Sequence, residues 1–183
     1  RSLYDSTTNI GFKSDIARYE ILYKYGGVYI DTDFESLREI PNNLRYFDFV
    51  SCLGFDYSPT ILNGFLMASI QNKIIKKIIY DLKKPKNNND PMTIIDSSGP
   101  TKLTNIYFQY HDNTSLILPS NYCYPYPSFL LNSSVRKQSE LTSLSFALHH
   151  WEMSWMKGSL MDRLFLKFKH LYKKYIRSNL SIS

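Results

Sequence analysis

Cysteine is nearly absent: Cys52 and Cys123 are the only two among 183 residues. Two thiols this far apart in sequence build neither a disulfide framework nor a C-x-x-C metal site. The expectation is two ordinary semi-buried thiols in a reducing compartment. Tryptophan is equally scarce, at two, but fifteen Tyr and eleven Phe supply large apolar side chains, so the composition excludes a chain that is disordered throughout. No apolar run approaches the roughly 18–20 residues that cross a bilayer, and no signal-peptide pattern stands before the first charged block. Acid is missing from one place. Between Lys157 and Arg177 seven Lys/Arg face the single Asp162, which accounts for the entire net charge of +6. The remainder balances, which excludes the uniformly basic surface of a nucleic-acid binder; the charge belongs to a tail. The length suits one domain with a proper core.

What is present centres on Lys13–Leu37, KSDIARYEILYKYGGVYIDTDFESL. Ser14 reads as an N-cap and Asp15 as a first-turn acid favoured by the helix dipole. Ile16, Tyr19 and Leu22 or Tyr23 recur at helical spacing. Gly26-Gly27 lets the chain leave the helix, and Val28-Tyr29-Ile30 reads as a short buried strand. Asp31-Thr32-Asp33 follows at its carboxyl end, where ligands bind in open α/β sheets. Residues i and i+2 of extended chain point the same way, so Asp31 and Asp33 can reach one ligand together. Two hard carboxylates suit Mg²⁺ or Mn²⁺ and leave positions for phosphate oxygens and water.

The string SDIARYEILYKYGGVYIDTD resembles the signature of glycosyltransferases with the DXD sugar-binding region, glycosyltransferase family 32. That group includes capsular-polysaccharide sugar transferases and initiating mannosyltransferases, and the large clostridial glucosylating toxins carry a related block. The resemblance implies an α/β GT-A domain over residues 1–159, lacking its N-terminal portion, followed by a tail at 160–183. It implies a nucleotide-sugar donor (UDP- or GDP-sugar), Mn²⁺ or Mg²⁺, a glycan or lipid-linked glycan acceptor, no nucleic acid, and retention of anomeric configuration in surface polysaccharide synthesis. A cytoplasmic place on the inner face of a membrane is expected, or the Golgi lumen in a eukaryote.

The site residues follow from the same resemblance. Asp31 and Asp33 hold the metal and the diphosphate. Asp15 and Arg18 hydrogen-bond the donor sugar, the alternative being a plain intrahelical ion pair. Tyr29 lies near the ribose or packs in the core. Asn63 contacts the donor or begins an Asn-Gly hairpin turn within Ile61–Ala68. His149, in LSFALHHWEMSW, is the preferred third metal ligand, with His150 its competitor. Ser154 and Trp155 close over the pyrophosphate. Two rivals remain: a sugar-nucleotide-binding remnant without activity, and a D-x-D phosphatase, which Phe34-Glu35 after the second Asp disfavours.

Elsewhere the pattern predicts an irregular crossing over 35–43, strands over 46–55 and 116–118, and helices over 72–84 and 100–110. Asp56-Tyr57-Ser58-Pro59 reads as a turn, 85–91 as a loop, and Tyr122–Pro127 as an aromatic loop lidding the core or stacking on sugars. In the tail, Leu160, Leu164, Phe168, Leu171 and Tyr175 form one apolar stripe flanked by Arg163, Lys167, Lys174 and Arg177. Such a helix fits an anionic membrane interface. Full-length protein is therefore expected to co-sediment with phosphatidylglycerol vesicles in low salt, and protein truncated after 159 is not; equal recovery of both in the supernatant would refute the assignment.

Overall fold

The computed structural model describes residues 2–54, 60–85, 90–126 and 141–152. The turn at 56–59, much of the 85–91 loop, Ser154, Trp155, the boundary at 159/160 and the tail lie outside the described residues.

The chain opens with a short helix, α1 (Ser2–Asp5), and a long one, α2 (Ile10–Tyr25). Helix α2 begins earlier than the sequence suggests. Asn9 is its N-cap, its side chain accepting from Phe12 N at 3.0 Å, so Ser14 and Asp15 lie inside the helix rather than at its start. The dipole argument for Asp15 fails with it. Phe12, Ile16, Tyr19 and Leu22 form the buried face. Gly26 ends the helix at φ 64°, ψ −164°, its N–H bonded to Leu22 O; a Cβ there would lie 2.9 Å from Ile70 N, so this exit needs glycine.

Strand β1 (Gly27–Ile30) follows, then β2 (Phe34–Ser36), a 3₁₀ turn at Asn42–Tyr46, and the strands β3 (Phe49–Leu53) and β4 (Ile61–Ala68). Helices α3 (Lys73–Asp81), α4 (Pro91–Ser97) and α5 (Pro100–Tyr110) lead to β5 (Ser115–Leu118), a 3₁₀ turn at Ser120–Tyr122 and β6 (Ala147–His149). Asp90 caps α4 with bonds to Met92 N and Thr93 N, and Pro91 opens it; this helix was not expected, although its Asp-Pro start carried the signal. Strand β2 likewise replaces part of the expected irregular crossing.

Four strands form a sheet in the order β1-β4-β3-β5, and β2 pairs with β6 in a second, two-stranded sheet. Strand β4 is antiparallel to both neighbours, while β3 and β5 run parallel, joined by the crossover through α3–α5. This mixed α/β architecture is compatible with a GT-A-like domain. Strand β1 is an edge strand of that sheet with Val28 and Ile30 exposed, not the buried strand its apolar run suggests.

The two faces of the sheet carry separate cores. Tyr19 and Leu22 of α2, the isoleucines 74, 75 and 78 of α3, and Leu103, Ile106 and Tyr107 of α5 pack on Phe49, Ile61 and Leu66. Val50, Cys52, Leu62 and Phe65 face Leu118, Cys123, Tyr124, Phe146 and Ala147 on the other side. Inside β4 the alternation slips. Ile61 and Leu66 share one face, Leu62 and Phe65 the other, and the register on β3 jumps from Ser51↔Leu66 to Cys52↔Leu62. Asn63-Gly64 is therefore a bulge within one continuous strand, not a hairpin turn.

Asn72 ties these layers together. Its Oδ1 accepts from Ile74 N and Ile75 N, and its Nδ2 donates to Asp48 O at 2.8 Å, while the residue itself is buried. Asn72→Ala loses a cap and the buried side-chain bond to Asp48 O, which keeps the Ser69 N–H as a donor. Chemical denaturation should show a loss of about 2–3 kcal/mol; a loss below about 0.5 kcal/mol would contradict this role.

Candidate functional site

The bulge in β4 decides the shape of the site. At the end of β1, Asp31 N donates to Gly64 O at 2.8 Å, setting the Asp31 side chain against Gly64. A Cβ on Gly64 would meet Asp31 Oδ2 at 2.8 Å and the Tyr124 hydroxyl at 3.0 Å, so only glycine admits the carboxylate here. Asp31 and Asp33 are not neighbours on extended chain, as i, i+2 spacing suggested: a tight turn bonds Phe34 N back to Asp31 O at 3.3 Å and brings both carboxylates to one side.

The third member comes from the far end of the described chain. Pairing of β2 with β6 sets His149 opposite Phe34, one residue after Asp33. His149 Nε2 lies 3.1 Å from Asp33 Oδ1, and one ligand atom from each of Asp31, Asp33 and His149 falls within 4.8 Å of the others. The neighbouring imidazole turns elsewhere: His150 Nε2 is 3.0 Å from Glu35 Oε2, while its N–H donates to Asp33 O. Of the two histidines, His149 joins the carboxylates.

Asp33 is gripped by the returning chain. Besides His149, Glu152 N donates to its Oδ2 at 2.9 Å. Burial pushes this carboxyl up, but the bond to His149, its charge, and the Glu152 N–H outweigh burial and hold it below the usual range. Trp151 sits at φ 57°, left-handed backbone uncommon outside glycine. Its ring packs edge-on against His149 at 4.4 Å between centroids, and its indole N–H donates to Tyr126 O. Phe34 and Tyr124 complete the cage around the imidazole.

Behind the carboxylates lies a buried polar network. Arg18 Nη2 is 3.3 Å from Asp15 Oδ1 and 3.2 Å from Asp31 Oδ1, and Nη1 donates to Asn63 O at 2.5 Å. Burial works against the Arg18 charge, but Asp15 and Asp31 more than offset it and hold the guanidinium above its ordinary value. Its plane lies 4.6 Å over the Tyr29 ring, and the Tyr29 hydroxyl donates to Asp31 Oδ1 at 2.7 Å. Burial first, then the Asp31 charge, push that phenol up to about 12 against the pull of Arg18, so it stays a donor at neutral pH.

Asp15 accepts from Asn63 Nδ2 at 2.8 Å and from Ser98 Oγ at 2.5 Å; burial raises its carboxyl despite Arg18, Ser98 and Asn63. Tyr19 donates to Ser98 O and accepts from Asn63 Nδ2. The structure thus joins Asp15, Arg18, Tyr29, Asp31, Asp33, Asn63 and His149 in one connected constellation. Ser98, Tyr19, Gly64, Tyr124 and Trp151 escaped the sequence reading. Tyr19 reads as core, Tyr124 as part of an aromatic loop lidding the core or stacking on sugars, and nothing in the sequence marks Ser98. Trp151 stands in the closing motif, where the resemblance points to Trp155 instead.

The donor set fits the divalent metal that the D-x-D pattern implies: two carboxylates and one imidazole suit Mn²⁺. The buried His149 Nδ1 has no hydrogen-bond partner among the described residues, which leaves Nε2 as the nitrogen directed at the carboxylates.

Residues 1–49 match the model of the glycosyltransferase sugar-binding region containing DXD motif. Over that stretch the chain resembles the DXD-containing glycosyltransferases. It is 27% identical over 154 residues to lactosylceramide 4-alpha-galactosyltransferase of Mus musculus, covering 75% of this chain and 40% of that one. It is 34% identical over 101 residues to mannosyl phosphorylinositol ceramide synthase CSH1 of Saccharomyces cerevisiae, 54% of this chain and 26% of the other. A third relative, alpha-1,4-N-acetylglucosaminyltransferase of Homo sapiens, is 42% identical over 53 residues, 29% of this chain and 14% of that one. The chain therefore spans less than half the length of these relatives. Among the described residues no helix is long and apolar enough to cross a membrane.

Gly64→Ala tests the close approach. The added methyl displaces the Asp31 carboxylate and its bond to Tyr29, so calorimetric Mn²⁺ affinity should fall at least about tenfold, with about 1–3 kcal/mol lost from stability. Unchanged Mn²⁺ affinity would show that Asp31 does not need this contact.

Proposed function

We propose that this chain is the donor-binding and catalytic part of a metal-dependent glycosyltransferase, moving a sugar from a nucleoside-diphosphate donor to a hydroxyl of a glycan or lipid-linked glycan. The observation that carries it is the convergence of Asp31, Asp33 and His149 within 4.8 Å, against a network that includes Asn63 and Arg18. Bond breaking at the anomeric carbon leaves negative charge on a diphosphate, and Mn²⁺ or Mg²⁺ held by the two carboxylates and His149 supplies electrostatic stabilisation of that leaving group.

The chain's own residues do the rest. Asp33, kept ionised by its bonds to His149 and Glu152 N, offers a carboxylate at neutral pH. Arg18 neutralises Asp31 from behind and steadies the Asn63 carbonyl, so the front of the site has a fixed charge pattern before a donor arrives. Asp15 is enclosed by Asn63, Ser98 and Arg18, and acts on the donor sugar by orienting Asn63 and Arg18. Tyr29 fixes Asp31 and presents a ring face toward Arg18. Ser154 and Trp155 close the pyrophosphate end in this reading.

Two relatives carry ceramide-linked glycolipids in their names, one as acceptor and one as product, which favours a headgroup hydroxyl of a glycolipid as acceptor. Their names, and that of the human relative, span galactose, mannose and N-acetylglucosamine, so UDP- and GDP-sugars are both to be tried. Two of these names specify α-linkage, which is retention if the donor is itself α-linked.

The deciding experiment measures nucleoside diphosphate release from UDP-galactose, UDP-N-acetylglucosamine and GDP-mannose with Mn²⁺. Turnover of one donor should appear, and Asp33→Asn should lower it about 10²–10³-fold while the melting curve stays cooperative. Tight donor binding without turnover would establish a binding module instead, and an Asp33→Asn variant as active as the parent would remove Asp33 from the reaction.

A further inference from the structure

Cys52 on β3 and Cys123, just beyond the second 3₁₀ turn, are separated by 71 positions in sequence, yet their sulfurs lie 2.9 Å apart. Both side chains are fully buried, not semi-buried as their composition suggested. The contact follows from topology. Cys52 is paired with Leu118 in the parallel β3–β5 ladder, and the chain turns over Ser120–Tyr122 to bring residue 123 back across the same face. The two cysteines share one core cluster with Val50, Leu62, Phe65, Leu118, Tyr124 and Phe146, and the hydrogen-bond contact of the Cys52 thiol is the Cys123 sulfur. In these 183 residues there is no third cysteine to compete.

We propose that Cys52 and Cys123 are a disulfide-forming pair, and that the linkage pins the segment carrying Tyr124 to the central sheet. Closing the sulfurs from 2.9 Å to the roughly 2.05 Å of an S–S bond needs about 0.9 Å of movement, within reach of small side-chain rotations. The oxidant is a disulfide of the glutathione or protein-oxidoreductase class. One cysteine thiolate attacks it and expels a thiolate; the second cysteine, deprotonated, attacks the mixed disulfide and expels the other. The two cysteines lose two protons and two electrons, and the oxidant leaves as two thiols. Burial raises the Cys123 thiol far above its ordinary range, and neither sulfur is exposed, so exchange takes place in the folding chain before this core closes. Once closed, the same burial shields the bond from reductant.

The consequence reaches the functional site. Residue 123 accepts from His149 N through its carbonyl, and the next residue, Tyr124, packs its ring on His149 and Phe34. A cross-link at 123 therefore fixes one wall of the imidazole cage. The cross-link itself rests on the core geometry and stands whether or not the chain transfers sugars.

The test counts thiols. Reduced, denatured full-length chain is refolded in a glutathione/glutathione-disulfide buffer, denatured again and alkylated, and the same count is made on protein taken directly from an oxidising periplasm. The expected result is no alkylation, a mass 2 Da below the dithiol, and a peptide pair joined through residues 52 and 123. Melting temperature should fall by about 5–10 °C when the bond is reduced in unfolded protein that is then refolded with reductant, and Cys52→Ala should show no such response. Two alkylated cysteines in the soluble folded protein from both preparations, or disulfide-linked dimers in place of the internal bond, would overturn the proposal.

Discussion

The Arg18 guanidinium is the interaction on which the rest of the site depends. It is 5% exposed, and a buried cation survives only where opposite charge and hydrogen-bond acceptors surround it. Asp15 from its own helix, Asp31 from the end of β1, Ser14 and the Asn63 carbonyl from the β4 bulge all converge on it. Three parts of the chain, α2, the end of β1 and the β4 bulge, are thereby fixed to one another by a group that cannot be relieved by water. Removing one partner of such a buried set costs about 3–5 kcal/mol, because the others stay desolvated and unpaired. The same expense explains why Asp15 lies raised and enclosed: it is there to hold a cation and an amide, and its two oxygens are already occupied.

The second constraint is steric and comes from β4. A regular strand would have alternated through residues 61–68 and placed Asn63 on one side and Gly64 on the other in step with their neighbours. The bulge breaks the step, aims the Asn63 amide at Asp15 and Tyr19, and opens a gap at Gly64 into which the Asp31 carboxylate fits. Aromatic packing then finishes the site from the opposite face, where Phe34, Tyr124 and Trp151 surround His149. A rigid apolar cage around an imidazole fixes the direction of its Nε2 better than a solvated loop, which a ligand set assembled from three distant segments requires.

Much of this was determined by the sequence alone. Helices α3 and α5, the strands near 49–53 and 115–118, the apolar face of α2 and its glycine exit all follow from local periodicity, capping and turn chemistry, which act over a few residues. The D-x-D pair is nameable from residue type and spacing, which suit a divalent metal, whereas Arg18 and His149 are nameable only through the resemblance to the glycosyltransferase signature and its closing motif. What only the tertiary structure decided depends on contacts between distant segments. Apolar composition cannot tell an edge strand from a buried one, so β1 read as interior. An Asn-Gly pair has the same local preference in a turn and in a bulge, and only pairing with β3 chose the bulge. Ser14 could cap a helix, but Asn9 lay in position to do so first. The choice of His149 over His150 rested on the pairing of β2 with β6, 115 positions apart at its Glu35–His150 contact. Two cysteines 71 residues apart became neighbours for the same reason: the parallel β3–β5 ladder and the turn after it are long-range events that no local pattern encodes.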